Sequence, residues 1–579
     1  MITTYNESLA SAQKEYNSLN AQYNRMGLLR LLVMGGIIAL VYYLIQEQSL
    51  IVAVASLLAI VLFLLLVVRH KKISTIRAIA KAKIRINEQE IDFLTHHTFF
   101  ADNGKAFEED NHPYAYDLDI LGERSLYQYI NRTHTFLGRK LLAERLLHPS
   151  TDRITHTQAQ IQALTPDLDW RQTFMAYAQQ IDDSEDFYTK LRQWANAPVK
   201  RLSKLTRIFI ILSPILLVIS LLLGYVGNYE GATVLAKLLI SVHLVVFFIF
   251  MNRISQEKLG FERTYAILYA FKECIAQVER RFPDKNKQAS SHIAQLSRLL
   301  DDLDSVANIL VSIPLNVLTF YHLHRYGSLL QWKALHGGEV SHWLESVADT
   351  EVLCSFANFS YNHPNFAYPI LNQEYKVTFE GVGHPLIRKE ERITNDIALS
   401  EQAFVLLTGS NMSGKSTFLR TLGVNILLTL VGLPVCARKA VVHPLRLLAS
   451  MRLSDSLSDG KSYFFAEINR IQQIVDTLQR ERCFVLLDEV LRGTNSEDKQ
   501  HGTIKIIEKL LSLKALGVLA THDIEVCNLT NHYPELLQNK CFESEISKGE
   551  LTFDYKLRDG VCKNKNATFL MKKLGIIEE

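Results

Sequence analysis

Four stretches of the chain are almost wholly apolar over the length a membrane-crossing helix needs, about 20 residues. They are Leu28–Ile45, Leu50–Val68, Ile208–Val226 and Thr233–Met251, the last interrupted by Lys237 and His243. Within each pair the link is short, Gln46–Ser49 and Gly227–Gly231. The pattern predicts two transmembrane hairpins, one over about 28–45 and 50–68 and one within 207–252. A further apolar run, Ile309–Phe320, is too short to span and carries Pro314 and Asn316, so it predicts a buried helix. Over Asp117–Leu164 and Trp343–Ile370 apolar residues recur at helical spacing beneath charged faces, which predicts packed helices. The C-terminal part changes period. Phe404–Thr408, Cys483–Leu487 and Val518–Ala520 are short continuous apolar runs, as in buried parallel strands. Helical spacing follows the first of them at Phe418, Leu419, Leu422 and Ile426.

Charge orients the hairpins. Arg25, Arg30, Arg69, Lys71 and Lys72 flank the first; Lys200, Arg201, Lys204, Arg207, Arg253 and Lys258 flank the second. The links carry no Lys or Arg. The positive-inside rule then predicts a multi-pass protein of the inner (cytoplasmic) membrane, with both termini and the C-terminal part facing the cytoplasm. The N-terminal residues before the first apolar stretch are polar and helix-forming, unlike a cleaved signal peptide. Net charge is only +3, so no strong overall field draws nucleic acid. Arg280, Arg281, Lys285 and Lys287, with Glu279 and Asp284 among them, read as a solvated loop. The 7 cysteines show neither C-x-x-C nor metal spacing, and Cys436 and Cys483 sit in apolar runs as core residues. The pair His96-His97 reads as surface.

The candidate chemistry lies at the ends of the predicted strands. The first runs into Gly409, Ser410, Asn411, Met412, Ser413, Gly414, Lys415, Ser416 and Thr417, which fits G-x-x-x-x-G-K-[ST] between strand and helix. Glycines there let successive N–H groups form an anion nest at a helix N-terminus. Lys415 is placed to reach the β- and γ-phosphates of ATP, and the Ser416 hydroxyl to ligate Mg²⁺. The second strand ends in Asp488-Glu489. Asp488 is the candidate to hold Mg²⁺ through its water shell, and Glu489 to orient or deprotonate the attacking water. The third ends in Thr521-His522, where the imidazole can donate to a γ-phosphate. Between the first two lies Asp459-Gly460-Lys461-Ser462, with Ser462 at a predicted N-cap before Ile468, Ile471, Ile474 and Val475.

Together TGSNMSGKST, DGKSYFFAEINRI, LLDEVLRGTNSEDKQHG and LATHDIEVCNL resemble the ATPase of the MutS family, within the ABC-type ATPases. Ser462 and Glu467 match the family's signature helix, with Tyr463 where Thr is usual, and Arg492, Gly493 and Thr494 match its R-G-T. Gly383-His384-Pro385 and Asn395-Asp396-Ile397 resemble the lead-in to the nucleotide loop; Tyr555-Lys556-Leu557, Gly560 and Leu574-Gly575 resemble the closing segment. Thr135, Gly138, Arg139, Leu141 and Leu142 resemble the core or lever region. The resemblance implies a homodimer through the ATPase domain, in which Ser462 completes the partner's nucleotide site in trans, and ATP with Mg²⁺ as cofactors. It also implies binding of DNA, as in mismatch repair. The F-x-E wedge of the family's mismatch-reading domain finds no match in a suitable context.

The resulting expectation is a multidomain protein with α-helical transmembrane hairpins, a helical lever or core region, and a C-terminal α/β P-loop ABC-type ATPase domain. Its parts are 1–75 with the first hairpin, 76–206 core helices, 207–252 the second hairpin, 253–370 lever helices, and 371–579 the ATPase. The expected function is a membrane-anchored ATPase coupled to mismatched or structured DNA. The alternative is an ATPase that drives a transport or membrane-complex switch without DNA.

Overall fold

The computed structural model describes residues 1–47, 49–257, 264–283, 287–304, 309–400, 404–452, 463–491, 495–547, 550–562 and 576. Helices α1 (Ile2–Glu47) and α2 (Leu50–His96) form an antiparallel hairpin of 46 and 47 residues. At 1.5 Å per residue each is about 70 Å long, more than twice a bilayer's hydrocarbon thickness. The halves near the turn carry the apolar stretches, with Leu31 71% and Leu50 80% exposed. The other halves pack on each other through polar groups: Arg77 lies 3.8 Å from the Tyr23 ring and donates to Asn20 at 3.0 Å. The expected boundary at 75/76 therefore falls inside one unbroken helix.

A helical body follows: α3 (Leu126–Ile130), α4 (Phe136–Leu147), α5 (Ile154–Leu164), α6 (Leu168–Ala178) and α7 (Glu185–Asn196). After the second hairpin, α8 (Lys204–Leu221) and α9 (Glu230–Gln256), it resumes with α10 (Thr264–Arg281), α11 (Ala289–Asp304), α12 (Ile309–Thr319), α13 (Tyr321–His336) and α14 (Val340–Asn362). Arg280 and Arg281 close α10 rather than lying in a loop; Lys285 and Asp284 are outside the described residues. By length and composition α1, α2, α8 and α9 are long and apolar enough to cross a membrane. The run at Ile309–Phe320 was expected as a buried lever helix. Instead α12 packs against α8 and α9, where His243 bridges Ser213 on α8 and the Val317 carbonyl on α12, both at 2.6 Å. Only one face of it is covered, since Leu318 is 47% exposed.

The spine of the body is α14, buried almost continuously from Ser346 to Asn362. Its Glu351 explains the Thr135–Gly138 motif. The carboxylate accepts from His134 N at 2.7 Å, Thr135 N at 3.2 Å and the Thr135 hydroxyl, capping α4 from a neighbouring helix. A Cβ on Gly138 would lie 2.4 Å from Glu351 Oε2, so only glycine leaves room. Burial pushes the Glu351 carboxyl up to about 7, against the hydrogen bonds that favour its anion. The fold thus holds a proton there that the unfolded chain releases. Stability from this group is complete below about 4.5 and is lost as pH rises through about 7. Neighbouring His134, pushed down to about 4 by burial and three arginines, has the opposite sign. The stability of wild type relative to Glu351→Gln should therefore be compared by denaturant titration at pH 5 and pH 8. The wild-type advantage is expected to shrink at the higher pH; an unchanged difference would remove Glu351 as a titrating cap.

The C-terminal part is α/β. A sheet of β1 (Ile370–Leu371), β2 (Val377–Val382), β3 (Asn395–Leu399) and β5 (Lys439–Val442) runs in the order β1-β5-β2-β3. The main sheet contains β4 (Phe404–Gly409), β6 (Arg446–Ser450), β7 (Cys483–Asp488), β8 (Leu516–Ala520), β9 (Leu537–Ser547) and β10 (Glu550–Asp559), in the order β10-β9-β4-β8-β7-β6. All its pairings are parallel except the β9–β10 hairpin. Helices α15 (Lys415–Leu430), α16 (Tyr463–Leu478), α17 (Ser496–Ser512) and the short α18 (Ile524–Cys527) complete the domain. Strands β4 and β7 are buried at every position, which accounts for their unbroken apolar runs. The segment that leads into α3 docks on the free edge of β6. Pro113 O accepts from Ala449 N at 2.9 Å, Asp117 accepts from Met451 N and Arg452 N, and Asp119 pairs with Arg420 of α15.

Candidate functional site

Three parallel strands, β4, β8 and β7, lie side by side, and their carboxyl ends deliver the chemistry to one place. Beyond β4 the loop 410–414 turns into α15 with Gly414 at φ +99°, a conformation that side chains resist. A Cβ on Gly409 would lie 2.5 Å from Ser413 Oγ, so the loop closes this tightly only around glycine. Lys415 is buried. Its ammonium donates to the carbonyls of Gly409 at 2.9 Å and Ser410 at 3.1 Å. Ser416 donates to Asp488 Oδ2 at 2.5 Å.

Glu489 follows Asp488 at φ +52°, and Leu491 stands at φ +62°. Two left-handed non-glycine residues in three store strain at a strand end, and such positions persist only where surrounding structure holds them. Here Glu489 N donates to Ala520 O at 2.9 Å, and Leu491 N donates to Glu467 Oε1 at 2.8 Å. Glu467, read from sequence as part of a signature helix, is therefore buried as the brace of this turn.

His522, from the end of β8, stands between two site residues. Its Nε2 lies 2.8 Å from Glu489 Oε1 and 3.1 Å from Lys415 Nζ. One ring nitrogen cannot serve both. Protonated, Nε2 donates to Glu489; unprotonated, it accepts from Lys415. A ligand that draws the ammonium forward would leave His522 to Glu489.

These residues line a cavity of about 600 Å³, within the range of small-molecule sites. The far wall was not given a site role from sequence: His384, Asn395 and Tyr555. Asn395 accepts from Leu557 N at 2.9 Å and donates to Tyr555 O at 3.0 Å. This pins Tyr555 at φ +54°, at the bulge of β10, with its ring against Gly414. Burial, with Arg420 and Arg392 nearby, pushes His384 down to about 4, so it is a neutral wall group. These residues lie in the lead-in and closing segments, but no short motif marks them, since they meet the loop only through the tertiary fold.

The residues fit a phosphate-bearing ligand with a divalent ion. Ser413 Oγ is buried without a hydrogen-bond partner among the described residues. The N-terminus of α15 opens on the cavity, and a hydroxyl and a carboxylate, Ser416 and Asp488, stand together as hard oxygen donors. Asn411, Met412 and Thr417 also line the cavity. Ser462, Asp459, Gly460, Lys461, Arg492, Gly493, Thr494, Leu574 and Gly575 lie outside the described residues. A second cluster, Glu109, His112 and His148, has ligand-type atoms within 4.8 Å of one another. Both His112 nitrogens are already engaged, Nδ1 by Ala115 N and Nε2 by Leu147 O, so it has no lone pair to give a metal.

Residues 405–575 match the MutS domain V family. The chain is 33% identical over 240 residues to the DNA mismatch repair protein MutS of Thermotoga petrophila, covering 40% of this chain and 29% of that protein. It is 34% identical over 226 residues to the protein of the same name from Thermotoga neapolitana, covering 38% and 27%. With that of Christiangramia forsetii it shares 33% over 261 residues, covering 43% and 30%. The chain thus matches less than a third of the length of these relatives. The segment that matches is the C-terminal domain, which carries the glycine-rich loop and the strand-end Asp488, Glu489 and His522, and over it the chain is similar to proteins of the MutS family.

Proposed function

We propose that the protein is a membrane-anchored MutS-type ATPase whose nucleotide cycle is coupled to DNA. The observation that carries the reading is the convergence of Lys415, Ser416, Asp488, Glu489 and His522 on one cavity at the ends of three parallel strands. In this reading the N–H groups of Ser410–Gly414 and the Lys415 ammonium hold the phosphates. Ser416 and Asp488 hold Mg²⁺, which supplies neutralisation of the charge that develops on the transferring phosphoryl group. Glu489 takes the proton of the attacking water, and His522 reports whether the γ-phosphate is present through its choice between Glu489 and Lys415. Ser462 of a second copy completes the site, so that two ATPase domains close on nucleotide as a homodimer.

The anchor rests on exposure. None of the most apolar window of α1 and 6% of that of α2 is buried within the chain. An apolar surface of that extent needs lipid around it. The helical body would carry ATP-driven closure to DNA, because Asp119 grips Arg420 on α15, the helix that starts at the nucleotide loop. DNA binding is tested by titrating the detergent-solubilised protein with duplex, mismatched and branched DNA at several salt concentrations. The reading expects affinity that falls linearly with salt on logarithmic axes, as phosphate contacts require. It also expects affinity to change between ADP and a non-hydrolysable ATP analogue. Failure to bind any of these DNAs at low salt would return the coupling to a purely membrane task.

A further inference from the structure

Away from the nucleotide cavity, a second hollow of about 210 Å³ opens where α2, α4, α6 and α14 meet. Four arginines line it, Arg85, Arg132, Arg139 and Arg171, against two carboxylates, Glu90 and Asp102. The excess is two positive charges. The arginines are not equivalent. Arg132 is consumed by Glu90, and Arg171 by the carbonyls of Leu164 and Thr165 and by Asn358. Arg139 spends one nitrogen on the His134 carbonyl, and Asp183 faces it beyond ion-pair distance. Arg85 is exposed at the mouth, and neither it nor Arg139 pairs with a carboxylate among the described residues. The imidazole of His134 in the wall stays neutral beside them, held down by burial and by Arg139, Arg85 and Arg132.

We propose that this hollow is a binding site for a small phosphorylated anion, held by Arg85 and Arg139. The guanidinium fork matches phosphate oxygens in pairs, and a phosphomonoester dianion matches the excess charge. The volume is below that of typical drug-sized sites, so the ligand is inorganic phosphate or a phosphomonoester with a short tail rather than a nucleotide. The ligand is soluble rather than a lipid headgroup. Val68, the end of the apolar stretch, and Arg85 are separated by about 25 Å of helix at 1.5 Å per residue. Occupancy would be felt by α14, because Asn358 lines the hollow and is bonded to Arg171 and Glu90. It would also be felt by α1, whose Tyr5 donates to Asn358 and Asn362.

The test uses the full chain in detergent with Lys415→Ala, which weakens phosphate binding at the nucleotide loop and keeps this inference separate from the ATPase reading. Inorganic phosphate and glycerol 3-phosphate are titrated by calorimetry, with a parallel arm in nanodiscs containing phosphatidic acid. The expected result is saturable binding of one equivalent in detergent. Arg85→Gln should weaken it by about tenfold, the size of one charge-assisted hydrogen bond, and Arg85→Lys should weaken it less. Because Arg85 is exposed, these variants should fold. No saturable binding at millimolar phosphate, or an affinity indifferent to Arg85→Gln, would overturn the proposal. So would competition by phosphatidic acid, which would make the ligand a lipid.

Discussion

Glu489→Gln is expected to lower the rate of ATP hydrolysis at least about 100-fold while ATP binding persists, the loss typical when a general base is removed. The amide has nearly the carboxylate's shape but cannot accept a proton from water. The groups proposed to hold phosphate and Mg²⁺ have anchors that Glu489 does not supply: Lys415 on the carbonyls of Gly409 and Ser410, and Ser416 on Asp488. Binding and turnover therefore separate. Rapid-quench turnover beside equilibrium binding of a labelled nucleotide measures both. A rate within a few fold of wild type would remove Glu489 from the chemical step and leave the strain at φ +52° without a catalytic reason. A joint loss of binding and turnover would mean that the turn itself had collapsed.

Glu90→Ala is expected to be the most damaging single change in the helical body, by about 3–5 kcal/mol, the range seen when one partner of a buried ion pair is deleted. Glu90 is almost wholly buried. Its carboxylate takes the Arg132 guanidinium, Asn358 Nδ2 at 3.0 Å and Asn362 Nδ2 at 2.9 Å. Arg132 lies between the rings of Phe93 and Phe100, at 4.8 and 4.6 Å, and has no other carboxylate in reach among the described residues. Removing the acid strands a cation and two amides together. The same network holds Tyr5, at the start of α1, to α14. The loss should therefore show as a lower apparent unfolding temperature and as faster proteolysis of the hairpin where it leaves the body. An unfolding temperature within a degree or two of wild type would show that the amides and Arg132 find water instead.

The contrast between these two residues shows what could be read in the chain. Glu489 was legible because it ends an apolar strand at a set distance from a glycine-rich loop. That chemistry is local: backbone N–H groups, one lysine and one hydroxyl follow in sequence, and the parallel strands bring the rest to the same sheet edge. Glu90 was not legible. It sits on the stripe Ile84, Asn87, Glu90 and Phe93, and polar residues at those positions look like the solvent face of a helix until α14 and Arg132 are seen against them. The site role of Tyr555 and Asn395 was hidden for a similar reason, since 160 residues separate them and they meet only where β3 of one sheet lies against β10 of the other. The apolar stretches were legible by length. That α1 and α2 continue unbroken well beyond them was not, because helical spacing over the polar halves carries no stop signal and no proline. The short apolar run at Ile309 was assigned to the lever by its length, but His243 and Ser213 draw α12 onto the second hairpin instead.

The most direct test of the account is the steady-state rate of Mg-ATP hydrolysis by the detergent-purified full chain, with and without duplex, mismatched and branched DNA, beside Glu489→Gln. Wild type is expected to hydrolyse ATP and to be clearly stimulated by at least one of these DNAs, and the variant to do neither. A wild-type protein that binds ATP without hydrolysing it, or that hydrolyses at a rate indifferent to every DNA, would contradict the proposed coupling.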